Sequence, residues 1–196
     1  MKTLLTALTL GVASAFALPA VSQAADTSGV FINGNVGRSS LDKAYYDDSD
    51  TGFGVNVGYR WALAPGVLVG VEGGYADLGK FDPKSAYDGL GMTRAKVDGW
   101  NLGVNGHFNL TENWYISGRT GWFHGNVKGS TFTTIDSATV PVGVDGSSNK
   151  WYAGAGFGYD FSNNASVGLN YDYYKASVDG LTVDPGLTSV SFEYRY

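Results

Sequence analysis

Trp151-Tyr152-Ala153-Gly154-Ala155-Gly156-Phe157-Gly158-Tyr159-Asp160-Phe161 decides the fold. Apolar or aromatic residues hold every odd position, and the even positions carry Tyr152, three glycines and Asp160. A period of two belongs to a β-strand, whose side chains point alternately to opposite faces. One face of this strand is greasy and the other is polar or nearly bare. The glycines superficially suggest a phosphate loop, but they lie inside a strand and open no helix. About nine to eleven residues suffice for a tilted strand to cross the hydrocarbon of a membrane, and this run has that length.

The same pattern repeats along the chain. It occupies residues 53–61, 100–108, 114–122, 165–173 and 190–196, and less cleanly residues 30–38 and 67–77, the latter around Glu72. With 151–161 these make eight runs. The connections alternate as well. Residues 62–66, 109–113 and 162–164 are short and rich in turn formers. Residues 39–50, 79–94, 125–149 and 176–186 are long and polar, and read as loops. Hairpins tight at one end and loose at the other are the habit of outer-membrane barrels, and an even strand number brings both termini to the periplasmic side.

A secreted β-sandwich or lipocalin-like barrel would turn its apolar face inward. Two aromatic girdles argue against that arrangement. Trp61, Trp114, Phe161 and Tyr196 fall at the turn end of their runs, and Phe53, Trp100, Trp122 and Trp151 at the loop end. Amphipathic rings collect at both membrane interfaces. The predicted fold is therefore all-β, an eight-stranded antiparallel up-and-down transmembrane β-barrel.

Composition bounds the function. The 29 glycines and 13 tyrosines suit a barrel wall, and a net charge of −5 offers no basic stripe for nucleic acid. The mean hydropathy of −0.09 is what lipid-facing residues averaged with polar interior ones produce. There is no cysteine, so an exported fold here has no disulfide to lean on. Export itself is expected from residues 1–24. Lys2 supplies a positive start, residues 4–18 an apolar stretch, and Ser22-Gln23-Ala24 a small-residue cleavage site, with cleavage after Ala25 nearly as plausible. Residues 25–196 then form one barrel domain.

Several segments resemble the N-terminal transmembrane domain of the OmpA family of outer-membrane proteins. They are Gly52-Phe53-Gly54 leading into Gly58-Tyr59-Arg60-Trp61, the stretch from Val69 to Lys80, Ser117-Gly118-Arg119-Thr120-Gly121, and the closing stretch from Ser189 to Tyr196. The resemblance implies an outer-membrane location, contact with outer-membrane lipid and lipopolysaccharide, and handling by the outer-membrane assembly machinery. Phe192, Tyr194 and Tyr196 match the C-terminal signal that this machinery reads, with Tyr in place of the commoner terminal Phe. The chain stops where the eighth strand ends, so the peptidoglycan-binding domain that often follows such barrels is not expected. The family's interior ion pairs are only partly matched. Glu72 matches one acid, whereas Asn105, Gly158 and Gly168 stand where other charged members would be.

By phase, Arg60, Glu72, Arg119, Asp172, Glu193 and Arg195 point into the barrel, and buried charges must pair. Glu72 with Arg60 or Arg119 is the expected central cluster, either a polar plug that fixes register or a gate. His107 faces the interior and His124 the outside, neither in a catalytic motif, so no catalytic residue is expected and the protein is read as a non-enzyme. Asp42, Asp47, Asp48 and Asp50 crowd one loop, but their spacing matches no calcium motif, so neither metal nor cofactor is expected. Phe81, Tyr87 and Phe132 are loop aromatics that could meet a host partner. The functional expectation is a monomeric envelope-integrity barrel whose loops can bind partners. The alternatives are a small porin-like channel and an adhesin of the Ail type.

Overall fold

A computed structural model describes residues 28–43, 46–83, 94–135, 138–178 and 181–196. The expected leader, residues 1–24, lies outside the described residues. Ten strands follow in chain order: β1 (Gly29–Lys43), β2 (Tyr46–Ala64), β3 (Val67–Phe81), β4 (Ala95–Asn109), β5 (Trp114–Ile135), β6 (Ala138–Asp160), β7 (Ala165–Tyr174), β8 (Ala176–Val178), β9 (Leu181–Val183) and β10 (Gly186–Arg195). Eight close into an antiparallel barrel in the order β1-β10-β7-β6-β5-β4-β3-β2, and β8 pairs only with β9. Closure leaves the membrane-crossing part with no free edge, which lipid requires because it offers backbone groups no partner. The joint is made by β1 and β10, from Phe31 opposite Arg195 to Ser40 opposite Gly186. The three tight turns, Ser28 and Tyr196 all lie at one end of the barrel. Gly66, with φ 71°, makes the sharpest of the turns, where a side chain would be strained.

The runs point as their phase requires. Val57, Trp61, Trp100, Leu102, Val104, Trp122, Trp151, Leu169 and Phe192 all project from the outer wall. No water-soluble surface tolerates an apolar belt of this size; hydrocarbon does.

The long connections differ from expectation. Their described residues are mostly strand, because the barrel wall continues beyond the upper girdle. There the hydrophobic alternation inverts within single strands. In β4, Trp100, Leu102 and Val104 face out, whereas Ala95 and Val97 are wholly buried and Lys96 and Asp98 take the outer face. In β5, Trp122 is exposed while Phe123 and Val127 are buried; in β10, Val190 is exposed while Leu187 is buried. Below the girdle lipid surrounds the barrel, so apolar residues face out. Above it water does, so they face in. Leu41, Leu78, Phe81, Phe123, Tyr174, Val183 and Leu187 share one core there. Phe81, read as a loop aromatic open to a partner, is thus a core residue; Tyr87 and the side chain of Phe132 lie outside the described residues.

A bulge brings Phe81 inward. The β3–β4 register shifts between Asp77 and Lys80, and Gly79 sits there at φ 86°. The extra residue re-phases the strand, so Lys80 faces out and Phe81 in. Asp77 accepts the Gly79 N–H at 2.9 Å and Asp50 accepts the Lys80 N–H at 2.9 Å, fixing the bulge at both sides.

Candidate functional site: the charged interior

Below that apolar core the interior is polar and holds all six residues named from the sequence. Arg60 on β2 reaches across β1 to Glu193 on β10, with Nη1 to Oε1 at 2.5 Å and Nη2 to Oε2 at 3.0 Å. Its Nε donates to Asn105 at 2.5 Å, and its guanidinium lies 4.1 Å from the centre of the Phe31 ring. Arg195 pairs with Asp160 and lies 3.3 Å, Nε to Oε1, from Glu193. His107 meets the other Asp160 oxygen at 3.1 Å and stacks on Tyr115 with ring centres 4.0 Å apart. These groups form one buried network at the turn end.

A second level lies above it. Arg119 on β5 and Asp172 on β7 both stand opposite Gly154 on β6. They meet in a two-pronged pair whose Nε–Oδ1 leg is 2.6 Å. Gly154 leaves room for this pair, since a Cβ there would lie 1.9 Å from the Asp172 carboxylate and displace it. The next glycines of the same strand act alike: a Cβ on Gly156 would meet Asn170 and one on Gly158 would meet Tyr115. The glycine series of β6 is space cleared for long interior side chains.

The expected pairing of Glu72 is not the one observed. Glu72 accepts a hydrogen bond from the Tyr152 hydroxyl at 2.8 Å. Register explains the difference. Glu72 stands opposite Gly58, one inward step above Arg60, and Arg60 turns down to Glu193 while Arg119 turns to Asp172. The family positions lacking charge are also accounted for. Asn105 holds Arg60 directly, and Gly158 and Gly168 flank the Tyr115 hydroxyl, which occupies the space a charged side chain would need. Three residues of the network were missed as members: Asp160, His107 and Tyr152. Each lies on the polar phase of its run, and that was the signal available.

Between the two levels is a cavity of about 30 Å³ bordered by Arg60, Glu72, Asn105, Arg119 and Glu193. A water needs at least about 10–15 Å³. Asn33 Oδ1 and Asn105 Nδ2, both on this cavity, have no protein partner, and water suits them. Tyr152→Phe would remove the hydroxyl donor to Glu72 while keeping the ring. The expected cost is about 1–3 kcal/mol, read as a lower urea midpoint in lipid vesicles; an unchanged midpoint would mean that Glu72 finds water instead.

Above the upper girdle, Asp48 and Asp50 serve local structure. Asp42 stands opposite Asp47, Asp48 accepts the Asp82 N–H at 3.0 Å, and Asp50 accepts those of Thr51 and Lys80. Among the described residues no cluster of three or more metal-ligating side chains forms. His124 bonds Asn149 at 2.7 Å on the outer surface.

A closed eight-stranded wall, apolar outside and charged within, has counterparts among known proteins. Residues 4–196 match the family described as outer membrane protein beta-barrel domain. The chain belongs to that family. Membership implies the outer membrane of a Gram-negative bacterium. Among solved structures it is similar to Ail, the attachment invasion locus protein of Yersinia pestis, at 20% identity and a TM-score of 0.54, covering 86% of this chain and 97% of that one. It is also similar to Neisserial surface protein A, at 10% identity and a TM-score of 0.57, covering 86% and 99%. OprG from Pseudomonas aeruginosa is a third, at 15% identity and a TM-score of 0.52, covering 89% and 98%. At such identities these likenesses concern the fold. No curated protein matches the chain in sequence.

Proposed function

We propose that this outer-membrane barrel is a sealed scaffold for envelope integrity, carrying a β-platform outside the outer leaflet, and that it is not a channel. The supporting observation is occlusion at three heights. The lower network of Arg60, Glu193, Arg195, Asp160 and His107 fills the turn end. Tyr152–Glu72 crosses the middle, beside the Arg119–Asp172 pair that spans β6. The apolar core around Leu41, Phe123, Tyr174 and Leu187 closes the top. The narrow interior of eight strands is just filled by side chains, and about 30 Å³ of cavity is room for water alone.

In this reading the six charged residues are a structural plug. Phe192 and Tyr194 on the outer face of β10, with Tyr196 just past its end, are the segment read by the assembly machinery. The turns and both termini face the periplasm, residues 1–24 are the cleaved leader, and lipid with lipopolysaccharide surrounds the wall. No catalysis is assigned: His107 is buried against Asp160 and His124 is held by Asn149. The alternative adhesin role draws on the platform itself and on Ail, which has been solved with the heparin analogue sucrose octasulfate at 18% identity and a TM-score of 0.51. The carboxylates of Asp42, Asp47, Asp50 and Asp145 on this rim disfavour polyanions.

The test is a planar bilayer together with a deletion strain. The purified protein should give no conductance steps above the lipid baseline, and the strain should become sensitive to detergent and chelator until the gene is restored. Regular single-channel steps would overturn the sealed reading, and an intact permeability barrier in the deletion strain would overturn the envelope role.

A further inference from the structure

The hairpin of β5 and β6 outgrows its neighbours. Pairing with β4 ends at Lys96 opposite Lys128, and pairing with β7 ends at Tyr152 opposite Tyr174, yet β5 and β6 stay paired up to Ile135 opposite Ala138. Both outer edges of this extension therefore leave the barrel wall. They are not alike.

Hydrogen-bond parity shows which residues line each edge. Asp160 donates its N–H to the carbonyl of Asn113, and the register runs unbroken from Trp114 opposite Tyr159 to Ile135 opposite Ala138. In an antiparallel ladder the bonded pairs alternate. Odd-numbered residues of β5 thus turn their backbone groups to β6, and even-numbered ones turn away. Lys128, the last to meet β4, is even. Beyond it Ser130, Phe132 and Thr134 turn their N–H and C=O outward, and among the described residues no strand pairs with them.

The β6 edge is guarded. By the same parity Pro141, opposite Phe132, puts its missing N–H on the outer edge. Lower down, Trp151 accepts the Lys175 N–H at 3.2 Å and Ser148 accepts the Ser177 N–H at 2.9 Å. Asp145 is exposed and pairs with Lys128 of β5 at 3.1 Å, so that charge pair marks the base of both edges. Beyond Lys128, and among the described residues, the β5 edge has none of these devices: residues 129–135 contain no proline and no charge, and Thr131, Phe132, Thr133, Thr134 and Ile135 all favour strand. Exposed edges are ordinarily blunted by proline, charge or cover.

The geometry points to the outer edge of β5, residues 129–135, as a strand-addition site for an extended, proline-free polypeptide segment of a partner protein. Each outward residue offers one donor and one acceptor, repeating about every 6.8 Å along the strand. Another strand backbone is the ligand that matches that spacing, and it would continue the line that β4 follows against β5. The reading rests on the proposed orientation, which sets the hairpin outside the cell. Its binding test in nanodiscs is independent of conductance, so either can fail alone.

The probe is a fluorescent peptide of alternating threonine and valine flanked by lysines, titrated by anisotropy onto the full-length mature chain in nanodiscs. A twin peptide carries N-methyl groups on every residue, which removes the donors of both edges without touching the protein. Saturable binding of the plain peptide is expected, weakened at least about tenfold by N-methylation. Phe132→Pro should weaken it similarly, because that N–H makes no bond to β6. Ser147→Ala, at an exposed position lower on β6, should leave it unchanged. Absence of binding at millimolar peptide, equal binding of the methylated twin, or equal binding to Phe132→Pro would each overturn the site. Self-association of the protein that Phe132→Pro abolishes would replace the partner segment with a second copy of this chain.

Discussion

Glu193→Ala is expected to be among the most damaging single changes in this barrel, costing about 3–5 kcal/mol of unfolding free energy. Glu193 is buried and takes both Arg60 terminal nitrogens, with Arg195 Nε 3.3 Å from its Oε1. Removing it leaves Arg60 with the Asn105 amide oxygen and the Phe31 ring, and Arg195 with Asp160. A buried guanidinium without a counter-charge loses hydration and gains nothing in return, which is why breaking such a pair costs more than the pair contributes. Replacing both partners should behave differently. Arg60→Met with Glu193→Met takes out one charge of each sign, keeps the volume, and leaves Arg195 its bond to Asp160. It should recover most of the loss. Urea titration in phospholipid vesicles measures both, through the midpoint at constant slope. A loss below about 1 kcal/mol for Glu193→Ala would mean that cavity water already screens the network, as it does at exposed pairs.

The fold was legible because a membrane barrel writes its architecture into a period of two. Residues 151–161 and 100–108 each state which face meets lipid, and tight turns at residues 62–66, 109–113 and 162–164 state the hairpin order. The inward direction of the six charges followed from the same phase. Their partners did not. Arg60 and Glu193 are two strands apart around the closed wall, and Arg119 and Asp172 are joined across Gly154. Pairing of this kind depends on register and side-chain reach, which no local pattern encodes. Asp160 and His107 were on the polar face in the sequence, but their place in the lower network needed the barrel to be closed.

The long connections were misread for a physical reason. Polarity alone marks a loop, whereas here an alternating pattern persists with its sense reversed. Val127, between Asn126 and Lys128, falls within residues 125–149, which read as a polar loop, and Val97 falls between the expected loop 79–94 and the run 100–108. In the structure they are strand residues facing a core. The same Gly79 bulge that turns Phe81 inward also breaks the simple alternation in β3, hiding the continuity of that strand.

That inversion leads to the second large effect, because it fixes where the membrane ends. Val104 is half-exposed on β4, midway between Trp100 and Phe108. Val104→Arg should cost about 2–4 kcal/mol, the penalty for arginine at the bilayer midplane. Asn126 is exposed on β5 one outward step above His124, the residue opposite Trp100. Asn126→Arg should cost about 0–1 kcal/mol, as near an interface. Phe123→Ala should cost about 3–5 kcal/mol by emptying part of the upper core, because Phe123 is wholly buried and packs edge-on against Tyr174 at 4.9 Å. All three are read from unfolding midpoints in vesicles of one lipid. If Asn126→Arg proved as costly as Val104→Arg, the hydrocarbon would extend above the tryptophan ring. The charges of Lys96, Asp98 and Lys128 would then lie in lipid, and the water that drives the upper core inward would be missing.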